Sequence, residues 1–310
     1  MLRIAVPDLV SNSYFPIIAA VEMGFFKEEG FDASVDLLFP IPKTFEALRD
    51  GELDFVVGSA HATLLAFPEW RGAKLLAACG QHTYWFLVIR SDLNPQRGDL
   101  SIVKGLRIGA APGVNLSLQR MLVAAGIDPD NNNVQIMPIP GAAGPNVSFG
   151  LSAAKALEEG KLDGFWANGM GCEVAIRRGV GTMVLDVRRG DGPPAARHYT
   201  FSALVATEKK IAEAPDAARA AIRALMKAHR ALKADANSAT AVGKKRFPPS
   251  EAELIAELVR RDLPYYDPNI PEDKVASTNR FAQDIGLLAA PAPYDRVVAT
   301  QFSHLWSAAL

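Results

Sequence analysis

The chain has 310 residues, 49% of them hydrophobic and 22% charged, with a formal net charge of -1. That length exceeds what one ordinary core supports and suits two linked lobes. The balanced charge argues against a nucleic-acid or anionic-membrane partner, which calls for a basic excess.

No apolar run reaches the roughly 18 residues that read as a membrane span, so no membrane insertion is expected. Cys79 and Cys172 stand far apart, outside any metal or redox spacing, and are expected to be buried thiols. Met1 leads straight into Leu2-Arg3-Ile4-Ala5-Val6, with no basic and apolar leader before it. The expected location is therefore periplasmic if a leader was removed, and cytoplasmic if Met1 is the native start.

In chain order, residues 2–7 form an apolar strand pattern and 14–24 a helical one, with Phe25-Phe26-Lys27-Glu28-Glu29-Gly30 as its exit. Strands at 33–39 and 55–59 bracket a helix at 44–49. A strand-like run at 84–90 precedes strands at 107–111, 134–139 and 164–167, which alternate with helices at 116–125 and 152–159. After the loop Gly190-Asp191-Gly192-Pro193-Pro194 comes a second strand-like run, 200–206. Helices at 216–233, 251–262 and 294–308 complete the chain and are expected to pack on the first lobe. Pro248-Pro249-Ser250-Glu251 opens one of them, and Pro264 and Pro268 mark a break.

Two echoes run through this order. Leu2-Arg3-Ile4-Ala5 returns as Leu106-Arg107-Ile108-Gly109. Ala47-Leu48-Arg49-Asp50-Gly51-Glu52-Leu53-Asp54 returns as Ala156-Leu157-Glu158-Glu159-Gly160-Lys161-Leu162-Asp163. In the second pair a helix stops at a glycine, where positive φ is cheap, and a strand follows. Strands alternating with helices imply mainly parallel sheets. The fold class is α/β: two similar three-layer lobes joined by a two-strand hinge. Residues 1–88 with 200–310 form a discontinuous first lobe, 89–199 the second, and the runs 84–90 and 200–206 pair as the hinge.

Parallel sheets take ligands beyond the carboxyl ends of their strands. From the first lobe this selects Ser11, Asn12, Tyr14, Pro42, Thr44, Ser59 and His61, and from the second Gly113, Asn115, Ser117, Gly141, Ala142, Trp166 and Asn168. The two sets are expected to face each other across a cleft. Trp85, entering the first hinge run, faces either core or cleft. The segment Ala111–Ser117 opens a helix whose N–H groups suit an anion; equally, Asn115 serves as an ordinary N-cap. The loop Pro140-Gly141-Ala142-Ala143-Gly144-Pro145-Asn146 lacks the Lys-Ser/Thr pair of a nucleotide loop. His61 and Trp166 are each either ligand contacts or packing residues, whereas Arg71 and the pair Arg188-Arg189 read as solvated. Neither metal nor cofactor is expected, since no histidine or carboxylate cluster has ligand spacing.

With Ala20-Val21-Glu22-Met23-Gly24-Phe25-Phe26-Lys27-Glu28-Glu29-Gly30-Phe31, the two glycine-ended helices, Val103-Lys104-Gly105-Leu106-Arg107-Ile108-Gly109 and Gly164-Phe165-Trp166, the chain resembles the type II periplasmic solute-binding proteins. Within them it is most similar to the nitrate-, taurine- and alkanesulfonate-binding and thiamine-pyrimidine-synthase-like branch. The resemblance implies capture of a small solute by hinge closure and its delivery to an ABC importer permease, with a monomer expected; Tyr14, His61, Trp85 and Trp166 with the N–H-rich loops point to a small organic anion, aromatic or not. The resemblance also brings in catalysts of the same fold. The cysteine-rich run of the eukaryotic-type thiamine pyrimidine synthases is not found here. His61 and Arg71 are similar to the histidine and arginine of the aromatic desulfinases, but the place of their cysteine reads Ser11-Asn12-Ser13. The enzymatic alternative is a decarboxylase or lyase with His61 as acid or base. A cytoplasmic sensor ranks below both.

Overall fold

The computed structural model describes residues 1–142 and 147–307. It divides into two units, Met1–His82 with Thr200–Leu310, and Thr83–Tyr199. In chain order, β1 (Leu2–Val6) leads to α1 (Phe15–Glu22), α2 (Phe25–Glu28), β2 (Ala33–Leu37), α3 (Ile41–Arg49) and β3 (Phe55–Ser59). A 3-10 segment, Ala60–Leu65, then precedes β4 (Ala73–Gly80). The second unit holds β5 (Phe86–Arg90), β6 (Arg107–Ala110), α4 (Asn115–Ala124), β7 (Gln135–Met137), α5 (Phe149–Glu158), β8 (Gly164–Ala167), α6 (Gly169–Arg177) and β9 (Gly181–Asp186). The chain returns to the first unit with β10 (Ser202–Thr207), α7 (Glu208–Glu213), α8 (Pro215–Ala234), α9 (Ser238–Arg246), α10 (Pro249–Asp262), α11 (Glu272–Asp284) and α12 (Tyr294–Val297).

The two sheets share one plan. The first has the order β2-β1-β3-β10-β4 and the second β7-β6-β8-β5-β9. In the first, β1 is parallel to β2 and β3, and β10 runs antiparallel between β3 and β4. In the second, β6 is parallel to β7 and β8, and β5 runs antiparallel between β8 and β9. Hence β4 runs with β3, and β9 with β8. All strands but one in each sheet end on a common carboxyl edge, where the odd strand begins.

The strands and helices expected in each half are present, with bounds shifted by a few residues. Six elements were not anticipated: β4, α6, β9, α7, α9 and α11. The runs around 84–90 and 200–206 do not pair with each other as a hinge. β5 is hydrogen-bonded on both sides within the second sheet and β10 on both sides within the first. For that reason the unit boundary falls at His82/Thr83 rather than at 88/89. The expected helix at 294–308 is instead the single turn α12 and a 3-10 stretch, Thr300–Ser307, with Ala308 outside the described residues. Gly24, at φ 85°, separates α1 from α2, a conformation that a side chain would oppose.

The sequence echoes correspond to one structural device. In the first unit α3 ends at Gly51 (φ 78°), and the Glu52 N–H donates back to the Ala47 carbonyl at 2.9 Å. In the second, α5 ends at Gly160 (φ 67°), and Lys161 N–H donates to Ala156 at 2.9 Å. The aspartate after each turn then locks onto the central strand. Asp54 Oδ2 accepts the Arg3 N–H at 2.7 Å, and Asp163 Oδ2 accepts the Arg107 N–H at 3.0 Å. Each aspartate's own N–H donates to the same residue's carbonyl at 2.9 Å. Asp163 adds a forked ion pair with the Arg107 guanidinium, 2.9 Å from both Nε and Nη2.

That pairing holds the Asp163 carboxyl at about 2, below its ordinary 3.8, chiefly through the Arg107 hydrogen bond. A carboxylate that ionises more readily folded than unfolded stabilises the fold above about pH 4 and loses that contribution as pH falls toward 2. Asp163→Asn is expected to lower unfolding free energy at pH 7 by about 1–2 kcal/mol, after screening at the partly exposed Arg107. In urea titrations, the gap between wild type and variant should narrow between pH 4 and pH 2; a gap independent of pH contradicts the ion-pair account.

Candidate functional site

On the first sheet's carboxyl edge, the segment between β1 and α1 carries Ser11, Asn12 and Ser13, all essentially buried. Its shape is set locally: Val10 N–H donates to Asp8 Oδ1 at 3.0 Å and Ser13 N–H to Ser11 Oγ at 3.2 Å. These side chain-to-backbone bonds are short-range turns that compete with helix and so delay the start of α1. Asn12 Nδ2 donates to Asp262 Oδ2 at 2.6 Å, tying the segment to the end of α10. Tyr266 OH donates to the Asn12 carbonyl at 3.5 Å. Behind it lies His229 of α8, which is stacked on Tyr266 with centroids 5.3 Å apart, its Nε2 2.8 Å from the Cys79 carbonyl.

His61 stands two residues beyond β3 and is 1% exposed. Its Nδ1 lies 3.0 Å from Thr200 Oγ1, and its ring meets Phe281 of α11 edge-on at 5.1 Å. Three hydroxyl or amide oxygens on this edge or beside it are buried without a hydrogen-bond partner among the described residues: Asn12 Oδ1, Ser13 Oγ and Thr63 Oγ1. Each such group carries a desolvation penalty of about 1–3 kcal/mol unless something meets it.

The Thr44 hydroxyl donates to the Leu38 carbonyl and closes the turn between β2 and α3. Pro42 lies in the first turn of α3, half-buried. Ser59 ends β3 opposite Ser202, and Tyr14, 2% exposed, occupies the N-cap position of α1. Arg71 is exposed, as expected, and lies at the opposite edge of this sheet. There it lines a pocket of about 570 Å³ with Asp54, Lys210 and Glu213. The strand β4, eight residues long, follows Arg71 and ends on His61's edge. Arg71 therefore does not join His61 in the pair that resemblance to the desulfinases implied.

In the second unit, Trp166 of β8 is 1% exposed and its indole N–H donates to Ser117 Oγ at 2.9 Å. Ser117 Oγ in turn donates to the Val114 carbonyl at 2.7 Å. Trp85 packs at 6.2 Å from Trp166 and 5.1 Å from Tyr84. Asn168 is the N-cap of α6, its Oδ1 accepting from Gly171 N–H at 3.0 Å. Asn115 is not the N-cap of α4: Val114 holds that place, and Asn115 Oδ1 accepts from Gly113 N–H at 3.0 Å. Gly141 is exposed at φ 78° and Ala142 buried, while residues 143–146 of the glycine-rich loop lie outside the described residues.

Arg188 corrects the sequence-based expectation most. It is 2% exposed rather than solvated, with its guanidinium carbon 5.6 Å above the Tyr84 ring. Its neighbour Arg189 reaches the Asp186 carboxylate. Two arginines in a row before a glycine-proline loop look like a solvated turn. Burial of one follows from β9, the strand that the sequence did not reveal. Asp262, Tyr266 and Thr200 were missed for a different reason: they reach this edge from about 140 to 250 residues away along the chain. Both cysteines are buried and unbridged. Among the described residues there is no group of His, Cys, Asp and Glu that could hold a metal ion, and no helix is long and apolar enough to cross a membrane.

A family model described as NMT1/THI5 like matches residues 11–239. Among solved structures, the chain is similar to the periplasmic nitrate-binding protein NrtA from Synechocystis PCC 6803, at 14% identity and TM-score 0.73, covering 99% of this chain and 88% of that one. It is similar to the periplasmic aliphatic sulphonate binding protein SsuA from Escherichia coli, at 15% identity and TM-score 0.69, covering 96% and 91%. A mutant of the desulfurization enzyme DSZB in complex with biphenyl-2-sulfinic acid matches at 15% identity and TM-score 0.67, covering 98% of each chain. No curated protein sequence matches the chain. At these identities the likeness shows the fold, that of the type II periplasmic binding proteins.

One pH response follows from the packing under the Asn12 segment. Burial pushes His229 down to about 4 from an ordinary 6.5. The unfolded chain thus takes up a proton near pH 6.5 that the folded chain accepts only near pH 4, so stability is full above 6.5 and falls as pH drops through that window. The loss should reach about 3 kcal/mol near pH 4. His229→Gln is expected to flatten this slope in melting curves recorded from pH 7 to pH 4; an unchanged slope contradicts the assignment.

Proposed function

This chain belongs to the NMT1/THI5-like family, and on that premise we propose that it is a periplasmic substrate-binding component of an ABC-type importer for a small organic or inorganic anion. The observation that carries the proposal is the set of buried, unmatched oxygens on the first sheet's carboxyl edge, Ser13 Oγ and Thr63 Oγ1 above all. Hydroxyls placed there donate to an anion's oxygens, and His61, held by Thr200 and Phe281, adds a rigid aromatic wall beside them. The names of NrtA, SsuA and the DSZB complex support the anionic class: nitrate, sulphonate and a sulfinic acid. The Ser11-Asn12-Ser13 segment offers no thiol, which favours binding over desulfination.

A ligand that binds only the folded state raises its melting temperature, so a panel of nitrate, alkanesulfonates and aromatic carboxylates should yield at least one stabilising anion. Ser13→Ala and Thr63→Val should leave the ligand-free melting temperature unchanged or raised, because each removes a buried group with no partner. Affinity should fall about 10- to 100-fold, the worth of a hydrogen bond to a charged group. Native mass spectrometry should find the bound acid released unchanged. Unaltered affinity with a lowered ligand-free melting temperature makes these hydroxyls structural and contradicts the proposal. Turnover of a bound acid, abolished in His61→Ala, replaces transport with lyase chemistry.

A further inference from the structure

The pocket on the opposite edge of the first sheet has no part in the function proposed above. It holds about 570 Å³, a volume that suits a small ligand, and lies wholly within the first unit. The end of α3, the start of α7 and the turn from Ala66 to Gly72 line it. Its charged side chains fall into pairs. Arg49 lies 2.9 Å from Asp50, Lys210 2.5 Å from Asp54 and Lys209 4.0 Å from Glu213. Arg71 is the cation left over, its guanidinium without ion pair or hydrogen bond among the described residues. A strained backbone sets it there. Glu69 and Trp70, directly before it, both have φ 57°, in the left-handed region that side chains oppose. Such a conformation persists only where the surroundings impose it. Here Trp70 is fully buried, its indole N–H donating to Asn279 Oδ1 at 3.1 Å, and Glu69 Oε1 accepts the Ala289 N–H at 3.3 Å. The turn thus anchors a tryptophan inside and leaves the next residue, Arg71, exposed at the pocket.

We infer that this pocket is a second ligand site, taking a small monoanion with an apolar body, of the class of medium-chain carboxylates. The Arg71 fork of N–H donors meets both carboxylate oxygens, and the body lies against the apolar lining of Leu48, Leu53, Ala66 and Phe67. One unmatched cation calls for one negative charge, since a second would face Asp50, Asp54 and Glu213. Asp54 also accepts the Arg3 N–H, so a ligand bound here stabilises the first sheet. The site shares no residue with the carboxyl edge and is independent of the transport function.

The test is calorimetric titration of wild type, Arg71→Met, Arg71→Lys and the double variant Ser13→Ala/Thr63→Val with octanoate. Acetate, which lacks the body, and octanol, which lacks the charge, serve as controls. Arg71 is exposed, so its variants should keep the ligand-free melting temperature. Octanoate should bind Arg71→Met about 10-fold more weakly than wild type, and Arg71→Lys should lose less. Acetate and octanol should each bind wild type at least about 10-fold more weakly than octanoate. The double variant should keep octanoate affinity within about threefold of wild type. Wild type that binds no octanoate, or a folded Arg71→Met that binds it as wild type does, overturns the inference and leaves the transport function standing. Octanol or acetate bound as tightly as octanoate overturns it as well. Octanoate affinity lost in the double variant alone moves the ligand to the carboxyl edge, which overturns the second site and supports the first.

Discussion

Each sheet in this protein is organised around one carboxylate bonded to one backbone N–H. Asp54 takes the Arg3 N–H and Asp163 the Arg107 N–H, directly after a glycine-ended helix. The bond fixes where the helix hands the chain to the third strand and in which register that strand meets the central one. Because register in a parallel pair sets which residues reach the end of the strand together, the same bond decides what stands on the carboxyl edge. Ser59 and the His61 that follows it, like Ala167 and Asn168, are delivered there by strands that start at these aspartates.

What the edge then offers differs between the units. In the first it carries hydroxyls of Ser13 and Thr63, the amide of Asn12 with the Asp262 carboxylate behind it, and the ring of His61 against α11. In the second it is a buried guanidinium against aromatic rings, with Asn168 and Asn115 engaged in holding their own loops.

The duplication was legible in the sequence because the device behind it is local: a helix, a glycine with positive φ and an aspartate within eight residues. The alternating strands and helices of each half were legible for the same reason. β4 and β9 were not, since neither shows a clear alternation and the strand character of each comes from pairing with β10 and β5 far along the chain. That gap propagated. Without β9, Arg188 reads as part of a charged turn, and without the pairing of β5 and β10 inside separate sheets the two runs look like a hinge. Among candidate site residues, strand-end position alone singled out Ser11, Asn12 and His61. It could not separate Thr44, Asn168 and Asn115, whose side chains close turns, from Ser13 and Thr63, whose side chains find no partner among the described residues.

The central claim is that an anion is taken on the carboxyl edge of the first sheet. Hydrogen exchange measured with and without the anion that most raises the melting temperature tests it directly, because ligand contact slows the opening of the backbone it touches. Protection is predicted in residues 8–14 and 60–65. Protection confined to residues 48–54, 66–72 and 207–213, around the pocket on the opposite edge of the first sheet, would contradict it.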